Sequence, residues 1–533
     1  MAAVHMPQSE PASPPIIATY RLQCDPGQAD AVARFIAFEQ TVELPERLVT
    51  DATLLREIVG EVRDLRADGP GHAIARIAFN AELASGQLSQ LLNLLYGNVS
   101  MASGIRLVDV DLPDTLLQRF NGPRHGIDGV RALLGVYDRP LLATAVKPRG
   151  LSDETLAHLV GRFALGGGDI VKDDQNLVAP DFEGFKRRVD ACAKAVNAAN
   201  AQTGRQCLYF PHLAAPDEEL DDYAGFVLEL GLHGVLVCPM VIGLDRMRYL
   251  NERYGLVCMA HPAMSGVYTQ SRDHGIAHDV LLGTLFRLAG ADISVFPAPG
   301  GRFPYSAEEC AGLASALTRP LGQLAPAWPS PAGGMRFESL PQLEQDYGVD
   351  AVLLIGGSLL GHAPDLADGT RAYQARIRAA FPERLVEPQT SWATSCEFEP
   401  STGEGVHTLL SFLQDFRWQH RSDLRYKNEE DDFNAVRRVE LIGRHGEQAD
   451  FDLRYFEVEP GGYTSLEKHL HTHVILVARG QGVLVTDELR ADLKPMDVAY
   501  VRPLEVHQLR NESEQPFGFF CIVDRERDRP MRP

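Results

Sequence analysis

The chain has 533 residues, 45% of them hydrophobic and 23% charged, an ordinary globular composition long enough for about two to four domains. With 51 basic against 72 acidic side chains its net charge is -21, which disfavours nucleic acid and anionic membranes as partners. Eight scattered cysteines without a CxxC pair predict reduced thiols in a cytoplasm, and no run approaches the roughly 18 apolar residues that span a bilayer.

Residues 1–15 are rich in proline and small residues, lack an apolar signal core and read as a disordered tail. Ile16–Leu22 predicts a strand and Gln28–Glu39 a helix, opening an α+β domain expected over 16–130. From residue 131 short apolar runs alternate with longer helical segments such as Ser152–Ala164 and Asp181–Ala199. The runs are Leu141–Val146, Asp169–Lys172, Cys207–Phe210, Gly234–Cys238, Val257–His261, Asp292–Phe296, Leu324–Ala327 and Ala351–Ile355. They predict a (β/α)8 barrel ending near residue 395. Chemistry in that fold sits at the C-terminal ends of strands, with phosphate in the last two loops. A polar connector, 396–432, ends in Lys427-Asn428-Glu429-Glu430-Asp431-Asp432. Leu453–Val458, Val474–Ala478, Gly482–Thr486, Asp497–Val501 and Phe517–Val523 then predict an all-β barrel over 433–533.

The densest chemistry lies in Gly166-Gly167-Gly168-Asp169-Ile170-Val171-Lys172-Asp173-Asp174-Gln175. Ile170, Lys172 and Asp174 alternate, so they share one face of a strand. An amine among acids there is either paired, as in a surface cluster capping the strand, or carbamylated by carbon dioxide to bind a divalent cation. In the second barrel, His469, His471 and His473 alternate on one predicted strand, with His507 in another strand-like segment and Asn511 four residues later. This set suits a transition metal such as Mn, Fe, Ni or Zn; a His-rich exposed edge is the plainer alternative. Cys521, in Phe519-Phe520-Cys521-Ile522-Val523, is either a small buried hydrophobe or a thiol facing the metal cavity.

The Gly166–Gln175 stretch resembles the carbamylated-lysine strand of the RuBisCO large subunit. Ordered matches follow over roughly Ala18 to Val386: Asn98 in Gly97-Asn98-Val99, Lys147 in Lys147-Pro148-Arg149-Gly150, His261 in His261-Pro262-Ala263-Met264, and the pairs Gly333-Gly334 and Gly356-Gly357. Pro460-Gly461-Gly462 and Gly480-Gln481-Gly482 resemble the first cupin motif, and Pro495-Met496-Asp497, His507 and Asn511 the second. His473 stands where cupins usually carry a glutamate. The resemblance implies catalysis by Lys147, Lys172, Asp174 and His261, and substrate or phosphate contacts at Arg149, Gly300, Gly301, Arg302, Gly333, Gly334, Gly356 and Gly357. It implies a divalent cation, Mg, on carbamylated Lys172, Asp174 and Gln175, and a transition metal on His469, His471, His473 and His507. Glu39 and Asn98 match residues lent to a neighbouring subunit, which implies a homodimer or a higher even oligomer.

Departures from the family narrow the reaction. The strand-6 loop, Phe296 to Phe303, carries Arg302 but no lysine; Ser265 replaces a histidine; Gln175 replaces a metal-binding glutamate. Carboxylation is therefore not expected, whereas enolisation is retained. The fusion resembles a RuBisCO-like isomerase working with a cupin. Its expected substrate is 5-methylthioribulose 1-phosphate, isomerised to 1-methylthioxylulose 5-phosphate. The cupin, through Cys521 and with a reducing thiol, would then remove the methylthio group to give 1-deoxyxylulose 5-phosphate. The alternative is a decarboxylase of a 3-oxo sugar-acid phosphate with a non-catalytic sensing or dimerising cupin.

Overall fold

The computed structural model describes residues 14–381, 410, 416–418, 421, 424–425, 433–443, 451–468, 471–487, 489–502 and 504–524. The expected tail up to residue 13, most of the 396–432 connector and His469 lie outside these residues. The chain divides into two compact units, Met1–Thr390 and Ser391–Pro533. Among the described residues no helix is long and apolar enough to cross a membrane, and Cys24, Cys192, Cys207, Cys238, Cys258 and Cys310 are free thiols.

The first unit opens with β1 (Ile16–Gln23), β2 (Glu61–Ala67), β3 (His72–Phe79) and β4 (Ile105–Asp111), an antiparallel sheet. Burial alternates strictly along β1, the period of a sheet covered on one face. Helices Ala29–Glu39 and Leu88–Tyr96 turn Ala33, Ile36, Leu91 and Leu95 into the core they share with this sheet.

The barrel strands follow: β5 (Leu141–Val146), β6 (Ile170–Asp173), β7 (Leu208–Phe210), β8 (Gly234–Val237) and β9 (Val257–Ala260). β10 (Gly275–Ile276) leaves the barrel and pairs with β4, tying the N-terminal sheet to it. β11 (Ile293–Pro297), β12 (Trp328–Ala332) and β13 (Val352–Leu354) complete the set. The eight strands run in the order β7-β6-β5-β13-β12-β11-β9-β8, all parallel, and a lone bridge between His212 and Leu236 closes the ring. β5 and β9 are buried at every residue, as strands covered on both faces must be. Alternate residues such as Ala143, Ile170, Phe210, Leu236, Met259 and Val295 form an inner cluster, and helix Gly126–Leu134 adds Ile127, Val130 and Leu134 to it.

The seventh barrel strand differs from expectation: it is Trp328–Ala332, not Leu324–Ala327. Its Trp-Pro-Ser-Pro-Ala sequence carries two prolines, which normally argue against an interior strand. Here Trp328 N–H donates to Asp292 O toward β11, so the missing N–H groups of Pro329 and Pro331 fall on the β13 side. On that side the ladder is reduced to Ala332 opposite Leu354, and the Ser330 hydroxyl donates to Val352 O at 3.0 Å in place of an amide.

The second unit is antiparallel: β14 (Leu424–Arg425), β15 (Asn434–Ile442), β16 (Phe451–Tyr463), β17 (His473–Arg479), β18 (Gly482–Thr486), β19 (Arg490–Leu493), β20 (Val498–Val501), β21 (His507–Arg510) and β22 (Phe517–Asp524). Most of them join in the order β19-β18-β21-β16-β22-β17-β20, with β15 on β16 and β14 on β15. One face supplies a core that includes Phe456, Val458, Ile475, Val477, Phe519 and Cys521.

Candidate functional site

At the C-terminal mouth of the first barrel lies a cleft of about 990 Å³. Lys147, Lys172, Asp174, Gln175, His261, Arg302, Gly333, Gly334, Gly356 and Gly357 line it, as expected from their strand ends. Gly300 and Gly301 do not; Gly301 instead underlies the strand-7 loop, where a Cβ at Gly334 would come within 2.6 Å of the Gly301 Cα. Arg149 is exposed and outside the lining. Asn98 donates to Glu39 Oε1 at 3.0 Å, and neither residue lines the cleft of its own chain. Residues that pattern reading missed also line it: Gln270, Tyr305, Arg336 and Ser358. Gln270, Tyr305 and Arg336 come from loops and Ser358 from the four-residue helix Gly357–Leu360, segments too short to carry a periodic signal.

The polar centre of the cleft has one carboxylate and two amines. Lys147 Nζ lies 3.5 Å from Asp174 Oδ2. Asp174 Oδ1 accepts from Asn176 N at 3.1 Å and from Asn176 Nδ2 at 3.3 Å. Burial raises the Asp174 carboxyl, but the Asn176 amide and the two lysines outweigh it and hold it below the usual range. Lys172 continues the inward series from Ile170 and is fully buried; its amine donates to Asp173 O at 3.1 Å. Burial drives the Lys172 ammonium down to about 8, opposed by Asp174 and assisted by Lys147. Asp173 points the other way, accepting from Arg188 at 3.1 Å, Tyr209 at 2.8 Å and the His212 amide at 3.0 Å. His261 Nδ1 accepts from Ala263 N at 3.1 Å, which leaves the proton on Nε2; burial and Lys172 push the ring down to about 3.

In the second unit the histidines converge, but not as one strand. His473 begins β17, His471 lies in the bend before it, and His469 is outside the described residues. The alternation that predicts a single strand instead spans a bend. His471 Nε2 and His473 Nε2 are 3.1 Å apart, and the His473 and His507 rings are 5.2 Å apart. All three are buried. His507 Nδ1 sits 3.0 Å from Glu505 O, so Nδ1 carries the proton and Nε2 is the lone-pair nitrogen. Glu467 pairs with His507 across a β-bridge and is also buried. Cys521 lies opposite Ile475 and is buried on the inward face, diagonal to His473. Arg454 Nη2 donates to Cys521 Sγ at 3.4 Å. Arg454 alternates with Phe456 and Val458 on the inward face, a signal that would have revealed it from sequence.

The family model of the ribulose bisphosphate carboxylase large chain, catalytic domain, matches residues 126–295, and that of the cupin domain matches 454–523. The 5-methylthioribulose-1-phosphate isomerase of Rhodospirillum rubrum is 38% identical over 365 residues, 68% of this chain and 96% of that protein. The 2,3-diketo-5-methylthiopentyl-1-phosphate enolase of Geobacillus thermodenitrificans is 35% identical over 391 residues, 70% of this chain and 94% of that protein. A crystal structure of a Rubisco-like protein from Rhodopseudomonas palustris matches with a TM-score of 0.63 at 37% identity, covering 70% of this chain and 99% of that one. The chain belongs to the RuBisCO-like proteins. Its C-terminal unit carries a cupin domain.

Metal donors differ between the two halves of this RuBisCO-like protein. Among the described residues no group of three His, Cys, Asp or Glu side chains is placed to hold a metal. In the barrel the donors are oxygens: Gln175 is neutral and Asp174 faces Lys147, so a hard dication there would rest on the Asp174 carboxylate with an anionic Lys172 carbamate as its second charged donor. In the cupin the donors suit a transition metal by their chemistry, though the described residues do not close a three-donor arrangement: His471, His473 and His507 are buried imidazoles with neighbouring rings.

Proposed function

We propose that this RuBisCO-like protein is a bifunctional sugar-phosphate enzyme. The barrel isomerises 5-methylthioribulose 1-phosphate to 1-methylthioxylulose 5-phosphate, and the cupin removes the methylthio group to give 1-deoxyxylulose 5-phosphate. The observation that carries this reading is the placement of Lys147 and Lys172 around Asp174 at the barrel mouth. Moving the carbonyl from C2 to C4 takes two enediols. A base removes the C3 proton and returns one to C2; a base then removes the C4 proton and returns one to C3. Lys172 is the primary base, with Lys147 and Asp174 beside it. Met264, Phe296, Phe303 and Met335 give the cleft an apolar wall suited to a thioether. Gly333-Gly334 and Gly356-Gly357 offer backbone N–H groups to the phosphate at the usual loops.

In the cupin, His471, His473 and His507 would hold a transition metal, which supplies Lewis-acid polarisation of a carbonyl when bound. Cys521 attacks the methylthio sulfur as a thiolate, which the Arg454 guanidinium stabilises. The carbon–sulfur bond breaks, its electron pair passes to the carbonyl-stabilised carbon, and protonation leaves a methyl group. A mixed disulfide remains on Cys521; one thiol of an external dithiol attacks the Cys521 sulfur and methanethiol leaves, and the second thiol closes the dithiol's own disulfide and returns the Cys521 thiol.

Phosphorus NMR of the full chain with 5-methylthioribulose 1-phosphate and a dithiol tests the scheme. Two successive new resonances, the second formed with methanethiol, are expected; an unchanged substrate signal refutes the barrel assignment. The likeness to an enolase supports a second reading of the same bases, on 2,3-diketo-5-methylthiopentyl 1-phosphate. Faster turnover of that diketone than of the ribulose would select it.

A further inference from the structure

Tyr373 is completely buried and is not used by the reaction proposed above. It comes from the helix Leu366–Ala380, which also buries Leu366, Thr370 and Ile377. Its ring meets Phe337 edge-on at 5.1 Å and His362 edge-on at 5.2 Å, and those two rings stack on each other at 4.6 Å. Phe337 follows the strand-7 loop and His362 follows the turn after strand 8, so the three rings tie the two glycine loops together. The Tyr373 hydroxyl lies 2.6 Å from Ser358 Oγ, and Ser358 lines the cleft directly after Gly356-Gly357. We infer that Ser358 donates a hydrogen bond to the substrate phosphate and that Tyr373 is the positioning residue that aims it. The inference rests on the reading that phosphate binds at these loops.

The direction of one hydrogen bond carries this. A buried phenol must place its proton on an acceptor, because leaving a buried donor unpaired costs more than a typical hydrogen bond contributes. Among the described residues the partner of the Tyr373 hydroxyl is Ser358 Oγ. Tyr373 therefore donates and Ser358 Oγ accepts. The serine's own proton must then point away from Tyr373. Ser358 is half-buried and lines the cleft, so its proton is offered there. The bond from Tyr373 also fixes the serine rotamer, which lowers the entropy cost of ordering the donor when a ligand binds. The ligand that suits this donor is an anion. Lys147 stands beside the same loop, since a Cβ on Gly356 would lie 3.5 Å from Lys147 Nζ. A cation and an oriented hydroxyl flanking glycine amides match a phosphate, whose oxygens accept several hydrogen bonds. An apolar tail in that place would leave the Ser358 proton unpaired.

Inorganic phosphate, titrated into the full chain and followed by calorimetry, probes the donor without turnover. Ser358→Ala should weaken phosphate binding about tenfold, the scale of one hydrogen bond to a charged group. Tyr373→Phe keeps the ring and should weaken it about threefold or more. With 5-methylthioribulose 1-phosphate both variants should raise KM by similar factors and leave kcat within about twofold. Ser358→Ala also strands the Tyr373 phenol, so its denaturation midpoint should fall. Combining it with Tyr373→Phe removes both partners and should recover that midpoint, while phosphate binding stays at the level of Ser358→Ala. A purely structural hydroxyl pair gives the opposite result, with phosphate affinity recovering as stability does, and that result overturns the inference. Equal phosphate affinity in the wild type, Ser358→Ala and Tyr373→Phe overturns it too, and leaves the glycine loops as the phosphate site. A wild type that binds no phosphate removes the loop assignment and the inference together. Weakened phosphate binding in a chain that does not isomerise the ketose supports the inference and refutes only the barrel reaction.

Discussion

At the residue scale, Lys172 is the most consequential group in the barrel. Its ammonium titrates near 8 rather than at the ordinary lysine value because it is buried, so the free base gains population through pH 7 to 9. Isomerisation is expected to rise across that window. His261 and His212, held near 3 and 4, stay neutral throughout and add no limb of their own. Lys172→Ala should lower kcat by a factor of about 10²–10⁴, the scale of a lost general base, and initial rates on 5-methylthioribulose 1-phosphate measure it. Near-normal turnover would transfer the role to Lys147. In the cupin, Cys521→Ser should stop methanethiol release while isomerisation continues, so that 1-methylthioxylulose 5-phosphate accumulates. His471→Ala should give the same accumulation with less bound metal, whereas the cysteine variant keeps its metal. Methanethiol release at the wild-type rate from Cys521→Ser would assign the attack to another thiol.

At the scale of elements, two glycine loops and one proline strand shape the cleft. The loops after β11 and β12 touch at Gly301 and Gly334, and Gly334 also has a positive φ of 84°. Gly334→Ala forces a methyl into the Gly301 backbone and should raise KM for the phosphorylated substrate more than it lowers kcat. By contrast, a Cβ at Gly357 meets nothing within 4 Å, so Gly357→Ala should be tolerated and only a bulky side chain there should weaken phosphate binding. Steady-state kinetics on the two alanine variants separates these outcomes. Beneath them, Ser330 substitutes a hydroxyl for the amides that Pro329 and Pro331 lack. Ser330→Ala removes that donor from a buried carbonyl and should cost roughly 1–3 kcal/mol, seen as a lower denaturation midpoint.

At the scale of the whole molecule, the Glu39–Asn98 pair lies outside the cleft lining of its own chain. We expect the active species to be a dimer or a multiple of one, in which this pair completes a neighbouring cleft. Sedimentation should show no active monomer. Mixing inactive Asn98→Ala and Lys172→Ala chains should restore about a quarter of the wild-type sites, since a mixed dimer holds one intact cleft. No recovery on mixing, with both variants folded, would place Asn98 outside the active site.

Local sequence determined most of the architecture. Short apolar runs separated by amphipathic helices establish a barrel, and the alternation of Ile170 with Lys172 puts the lysine on the inner face, because side-chain direction follows backbone period. The ordered lysines, His261 and paired glycines mark strand ends, where the barrel collects chemistry. Tertiary structure decided the rest. The prolines of β12 conceal a strand whose missing donors matter only on the side facing β13. The histidines of the cupin mimic a single strand, yet a bend precedes His473. Cys238 meets His212 across 26 residues, and Arg454 meets Cys521 across 67. Such pairs carry no local period: which polar groups share a dry cavity, and therefore which titrate unusually, is settled by the register of distant strands and the closure of the ring.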